Sequence, residues 1–280
     1  MEEEGGAQGN LETEPTTKRA RVSPPTSTTC RIFYDCETSG QGCSLFKQDR
    51  IVELAAVADW ASGTALTTRG LTRRPGGGGP GLPDGYFSEL VAGGPCTARA
   101  TFVHGLTDQQ LRTARPFESV WKAFIDFVHE AQERVPHCTA VSLVGHNSLF
   151  SDNYWLLSEL GRCGGTVEEL ALASRRIVFE DTYPKTEEAR RRLKADLKLP
   201  SLKNSEVHRA LHPELCSGSE AHTALWDAAA TRDNWTNPRI RKTTERLSAA
   251  QQIGHWKVLQ ARNALDALSA DHSDGEDERC

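Results

Sequence analysis

Apolar residues recur along this chain in two rhythms. Arg31-Ile32-Phe33-Tyr34 is a short apolar and aromatic run of the strand kind. Similar runs predict strands over 30–36, 51–59 and 63–69, which would form a first meander. Val120, Phe124, Phe127 and Val128 fall at helical spacing and predict a helix over 117–134. A strand over 140–145 follows, then a helix over 152–162 carrying Trp155, Leu156, Leu157 and Leu160, then a short strand over 176–180. Ala224 to Trp235 reads as helix, with Leu225, Ala228, Ala229 and Trp235 on its apolar side. Residues 243–269 read as one more helix, partly periodic in Leu247, Ile253, Trp256, Leu259 and Leu268. Strands interleaved with helices predict an α/β fold, a mixed sheet flanked by helices.

The polar stretches set the boundaries. Residues 1–29 are rich in Glu, Gly, Thr, Pro and Ser and lack apolar periodicity, the composition of a disordered tail. Within them, Lys18-Arg19-Ala20-Arg21 is a basic cluster of the type read by nuclear import, with Ser23-Pro24 beside it. The expectation is a nuclear protein, or a cytoplasmic one if the cluster is only a soluble tail. Residues 73–81 and Pro83-Asp84-Gly85 are too rich in Gly and Pro for regular structure. The expected division is a tail at 1–29, a folded domain at 30–240, a helix at 241–270 and an acidic tail at 271–280.

Charge and cysteine usage narrow the class. The formal net charge is −5, which is not that of a basic nucleic-acid coat, and the acidic ends account for part of it. Two basic runs stand out, one from Arg175 to Arg209 and one at Arg239, Arg241, Lys242 and Arg246. Either suits a phosphate backbone, although such runs are ordinarily solvated helix faces. The eight cysteines show no Cys-x-x-Cys spacing and no leader precedes them, so they are expected as reduced thiols in an intracellular protein. No apolar run approaches the roughly 20 residues of a membrane span.

The candidate chemistry lies in three segments. In Asp35-Cys36-Glu37, strand alternation sends both carboxylates to one face and Cys36 to the other. Two adjacent acids repel unless a hard cation such as Mg²⁺ or Mn²⁺ sits between them. Asp152 opens the helix that follows His146-Asn147. His222 and Asp227 are five positions apart, roughly 140° around a helix of about 3.6 residues per turn. One site can use both only if His222 comes from the loop or first turn. Taken singly, each segment also reads as a surface acid, a capping aspartate or a capping-turn histidine.

Taken in order, the three segments resemble the motifs of the DEDDh, DnaQ-like 3′–5′ exonucleases, within which the chain looks most like the three-prime repair exonucleases. The exonuclease-like C-terminal region of the promyelocytic leukaemia protein is a second similar sequence. Asp35 through Gly40 resembles the first motif, His146-Asn147 with Asp152 the second, and His222 through Asp227 the third. Arg50 to Val57, His104-Gly105-Leu106-Thr107 and Leu199-Pro200-Ser201-Leu202-Lys203 resemble the family's intervening stretches. The resemblance covers roughly residues 30–235 and makes 30–240 the exonuclease domain. It implies a ribonuclease-H-like fold and two metal ions, Mg²⁺ or Mn²⁺, held by Asp35, Glu37, Asp152 and Asp227. It further implies His222 as general base, with Thr38 and Ser39 lining the pocket of the terminal nucleotide. The substrate implied is a single-stranded or frayed 3′ end, DNA in preference. The alternatives are an exoribonuclease and a binding module that keeps the fold without the chemistry.

Overall fold

The structure, a computed structural model, describes residues 28–40, 49–61, 82–163, 177–215, 222–248, 250–259 and 261. The predicted strand over 63–69, the glycine-rich stretch 73–81, the acidic tail 271–280 and residues 1–27 with their basic cluster lie outside the described residues.

One six-stranded sheet organises the chain. It is built from β1 (Thr28–Thr38), β2 (Ile51–Ala58), β3 (Tyr86–Leu90), β4 (Cys138–Gly145), β5 (Ile177–Asp181) and β6 (Glu245–Ser248), in the order β3-β2-β1-β4-β5-β6. β1 runs antiparallel to β2 and parallel to β4; β4 runs parallel to β5, while β3 and β6 are antiparallel to their neighbours. This is the expected mixed α/β sheet. β2 is buried at every position, which explains why its sequence is an almost unbroken apolar run rather than an alternating one.

Alternation along β1 assigns its two faces. Phe33, Asp35 and Glu37 point to one side, where Phe33 meets the ring of Trp235 edge-on at 6.2 Å. Trp235 ends the helix Ala224–Trp235. Ile32, Tyr34 and Cys36 point to the other side. There the helices α3 (Phe117–Glu133) and α4 (Asp152–Arg162) bury Phe117, Val120, Phe124, Trp155 and Leu156 in the main core. Tyr34 Oη bonds Asn153 Oδ1 on that face.

A buried ion pair fixes α4 to the sheet. Glu159 has no exposed side-chain surface and accepts from Arg50 Nε at 2.7 Å and Nη2 at 2.7 Å, from Ile51 N at 3.1 Å and from Arg162 Nη1 at 3.0 Å. Its burial is tolerable because these donors satisfy both oxygens.

Three helices form a satellite layer: α5 (Glu187–Leu197), α6 (Asn204–Leu211) and α8 (Pro238–Thr243), packed around Leu193, Leu202, Val207 and Ile240. The helix Ala224–Trp235, here α7, lies between this layer and the sheet. It is buried on several sides, and its small Ala224, Ala228 and Ala229 allow close approach. The short helices α1 (Ala98–His104) and α2 (Asp108–Leu111) precede α3.

The C-terminal boundary needs correction. A single helix from 241 is expected, yet α8 ends at Thr243 and Glu245–Ser248 forms the sixth strand before helix resumes over 250–259. The strand is short and polar because it lies at the sheet edge, where one face is exposed and Arg246 pairs with Glu180. Ile253 and Trp256 then pack on the main core, so the folded unit runs past residue 240.

Replacing Glu159 by Ala leaves Arg50 without its buried partner. Because the Arg50 side chain is itself 33% exposed, the expected loss of unfolding free energy is about 1–3 kcal/mol, read by chemical denaturation. A loss under about 1 kcal/mol would mean that the pair does not anchor α4.

Candidate active site

The sheet and α7 bring three of the predicted acids together. Asp35, Glu37 and Asp227 each offer a carboxylate oxygen, and these oxygens lie within 4.8 Å of one another. All three residues are half-buried. Asp35 and Glu37 come from the α7-facing side of β1, and Asp227 from the first turn of α7. Glu53 adds a buried carboxylate, opposite Glu37 in the β1–β2 register. It accepts from Ala224 N at 3.3 Å and so caps α7 from the sheet.

So many acids have an electrostatic consequence. The Asp35 carboxyl is raised well above its ordinary 3.8, by burial first and then by Asp152, Asp227, Glu37 and Glu53.

Asp152 is not in that 4.8 Å set, yet among the neighbouring charges it acts most strongly on Asp35. It starts α4, which packs on the Cys36 face of β1. Its Oδ1 accepts from Cys36 N and Cys36 Sγ, each at 3.1 Å, and its Oδ2 from Ser151 Oγ at 2.7 Å. Asp152 thus reaches the end of β1 from the opposite side to Asp227. Burial raises its carboxyl, while these hydrogen bonds oppose the rise.

His222 is exposed and lies outside regular structure, two positions before α7 begins. Thr223 between them caps the helix, its hydroxyl accepting from Trp226 N at 3.1 Å. His222 therefore precedes the helix and Asp227 lies within it, which removes the conflict of helical faces.

Thr38 and Ser39 part company. Thr38 is half-buried, and its carbonyl meets His104 Nε2 at 3.2 Å. Because His104 Nδ1 accepts from Leu106 N at 3.0 Å, Nε2 is the protonated nitrogen and donates to Thr38. The His104-Gly105-Leu106-Thr107 stretch thereby supports the site from behind, with Gly105 closing α1 at φ 70°. Ser39 is only 1% exposed, and its hydroxyl accepts from Arg50 N at 2.8 Å. That bond holds the chain leaving β1.

The second-motif histidine is also a support. The half-buried His146 meets Thr182 Oγ1 through Nδ1 at 2.8 Å and Leu202 O through Nε2 at 2.7 Å, joining β4, β5 and the segment before α6. Desolvation pulls it down to about 4, so the ring is neutral near pH 7. Nearby, Asp181 accepts from Asn147 N at 2.7 Å, Leu149 N at 3.1 Å and Tyr183 N at 2.8 Å, fixing the turn into α4. Burial pushes Asp181 up to about 7 against those three donors.

Sequence reasoning missed Glu53, Asp181 and Asn204. Glu53 was the detectable one, a lone acid inside an apolar strand. Asn204 is buried at the start of α6 and directs its Nδ2 at Asp227 O (2.8 Å), Thr231 Oγ1 (3.0 Å) and Asp227 Oδ1 (3.2 Å). Nothing in the sequence pairs positions 204 and 227. The two basic runs do meet, across an open groove of about 540 Å³ between α5 and α8, but Glu188 and Asp196 line it beside Arg192, Arg239 and Lys242. The described cysteines Cys30, Cys36, Cys96, Cys138 and Cys163 are free thiols, and no described helix is long and apolar enough to cross a membrane.

The folded pKa of His146 lies below its ordinary 6.5, so its neutral ring contributes fully above about pH 6.5, and the contribution is lost as pH falls toward 4. The stability difference between wild type and His146→Gln should therefore shrink by on the order of 3 kcal/mol over that interval. Denaturant titrations at several pH values check it. A pH-independent difference would show that the ring does not carry the effect.

No family model and no curated protein sequence matches the chain. Among solved structures, it is similar to E. coli Exonuclease I in complex with a dA16 oligonucleotide, at 17% identity over 77% of this chain and 42% of that one, TM-score 0.48. It is similar to the cell-death related nuclease CRN-4 at 12% identity over 78% of this chain and 66% of that one, TM-score 0.45. It is also similar to the nuclease domain of 3′hExo, a DEDDh family member, bound to rAMP, at 16% identity over 76% of this chain and 90% of that one, TM-score 0.45.

Proposed function

We propose that this protein is a divalent-metal-dependent 3′–5′ exonuclease acting on single-stranded or frayed 3′ ends, with DNA as the preferred substrate. The observation that carries the reading is the meeting of Asp35, Glu37 and Asp227 within 4.8 Å, on residues far apart in the chain that resemble the family's motifs in order. The donor set fits hard cations: every ligand atom is a carboxylate oxygen, and the mutual repulsion that raises Asp35 is relieved by positive charge. Bound there, Mg²⁺ or Mn²⁺ ions would neutralise charge at the scissile phosphate and make a water more acidic.

The chain's own groups take defined parts. Asp35, Glu37 and Asp227 hold the cations, and Asp152, across the end of β1, completes the acidic set. His222, exposed before α7, takes the proton from the attacking water. As the water oxygen bonds to phosphorus, the bond from phosphorus to the departing 3′ oxygen breaks. The half-buried Thr38 lies beside the terminal nucleotide, its backbone held by His104.

The metal assignment has a thermodynamic test that is independent of turnover. A raised folded pKa means that the contribution of Asp35 to stability is full below its ordinary 3.8 and is lost as pH rises. Mg²⁺ or Mn²⁺ should therefore raise Tm near pH 7 and do so less near pH 4. Hydrolysis of labelled oligonucleotides should stop in excess chelator and return with metal. Undiminished cleavage in chelator would exclude the reading. Parallel DNA and RNA oligonucleotides, with free and blocked 3′ ends, test substrate and polarity. Metal binding without hydrolysis of either would favour the non-catalytic module.

His222 and Asp227 are separable. Asp227→Asn should weaken metal binding, measured by calorimetry, as well as turnover. His222→Ala should preserve metal binding and slow turnover by about 10²–10⁴-fold. Equal loss of metal affinity in both variants would make His222 a ligand or a structural residue.

A further inference from the structure

We propose that Asn204 is the positioning residue for Asp227, fixing which carboxylate oxygen that residue offers to a cation; this rests on the metal-site reading above. The amide is buried where α6 meets α7. Asn234 Nδ2 donates to Asn204 Oδ1 at 2.9 Å, which fixes the orientation of the amide. Its Nδ2 must then face α7, where one N–H donates to Thr231 Oγ1 at 3.0 Å and the other is shared between Asp227 O at 2.8 Å and Asp227 Oδ1 at 3.2 Å. Thr231 Oγ1 in turn donates to Asp227 O at 2.9 Å.

This arrangement does two things to Asp227. A donor on Oδ1 holds that oxygen toward α6 while the carboxylate lies within 4.8 Å of those of Asp35 and Glu37. It also supplies a donor to the carboxylate without adding a further charge to a site crowded with acids. A lysine or arginine here would compete with the cation for the same carboxylate, whereas a neutral amide orients it and leaves its charge available. Thr231 provides an internal comparison, because it shares the network but touches only the backbone of Asp227.

The test separates orientation from packing. Mn²⁺ affinity is measured by calorimetry, and stability by denaturation, on full-length wild type, Asn204→Ala, Asn204→Ser and Thr231→Val. Partners of this kind typically govern metal affinity by about 10- to 100-fold, and Asn204→Ala should lose that much. Thr231→Val should destabilise the protein while holding Mn²⁺ affinity within about twofold of wild type, since it keeps the amide–carboxylate contact. Asn204→Ser, with a shorter donor, should also weaken affinity, and it supplies the answer if the Ala variant does not fold. Affinity unchanged in Asn204→Ala or Asn204→Ser, or lost equally in Thr231→Val, would overturn the role of Asn204. If wild type binds no Mn²⁺, the metal-site reading fails instead.

Discussion

Like-charge repulsion at the end of β1 is the constraint on which the surrounding structure depends. Asp35, Glu37 and Asp227 crowd within 4.8 Å, and Glu53 and Asp152 add to the potential at Asp35. Such a cluster is costly without compensating charge. It persists because each carrier element is fixed by contacts outside the cluster. α7 is buried between the sheet and the satellite helices and capped by Thr223 and Glu53. β1 is hydrogen-bonded on both edges. α4 is tied down by Arg50 and Glu159. The scaffold therefore stores repulsion that a cation can relieve, and the same arrangement makes the site unfavourable without one.

The two faces of β1 explain how the acidic set divides. Side chains alternate along a strand, so Asp35 and Glu37 share the face that α7 covers, while Cys36 points to α4. Asp152 rides on α4 and finds the Cys36 amide and thiol first. Its bond to a backbone N–H settles its approach, since a buried carboxylate near other acids needs donors more than it needs proximity to them. The trio and Asp152 thus meet the same strand end from opposite sides.

Much of this was legible in the sequence, and what was not has physical reasons. Apolar runs and periodicity located β1, β2, β4, β5, α3, α4 and α7, because each buries apolar residues in the core. The order of the motifs located the trio. β3 is five residues, Tyr86–Leu90, directly after a Gly- and Pro-rich stretch that masks it. α5 buries only Leu193, so Glu187–Leu197 reads as a charge run although Thr186 caps it. β6 is polar because one side of an edge strand meets solvent. Asn204, Asp181 and Ser39 act through hydrogen bonds to residues distant in sequence or to backbone groups. Such pairings exist only after folding, so composition and spacing carry no trace of them.

The C-terminal segment belongs to the same logic. β6 closes the sheet beside β5, with Arg246 on Glu180 and Lys185 meeting Glu245 at 2.6 Å. The helical residues 250–259 then return across the turn ahead of α4, where the buried Gln252 donates to Leu149 O at 3.2 Å. Leu149 is also the residue whose N–H is held by Asp181. The turn that delivers Asp152 is thus gripped through both its amide and its carbonyl, from β5 on one side and the C-terminal helix on the other. A segment that looks peripheral in the sequence therefore shares in fixing the turn that carries Asp152, because Gln252 and Asp181 hold the two backbone groups of Leu149.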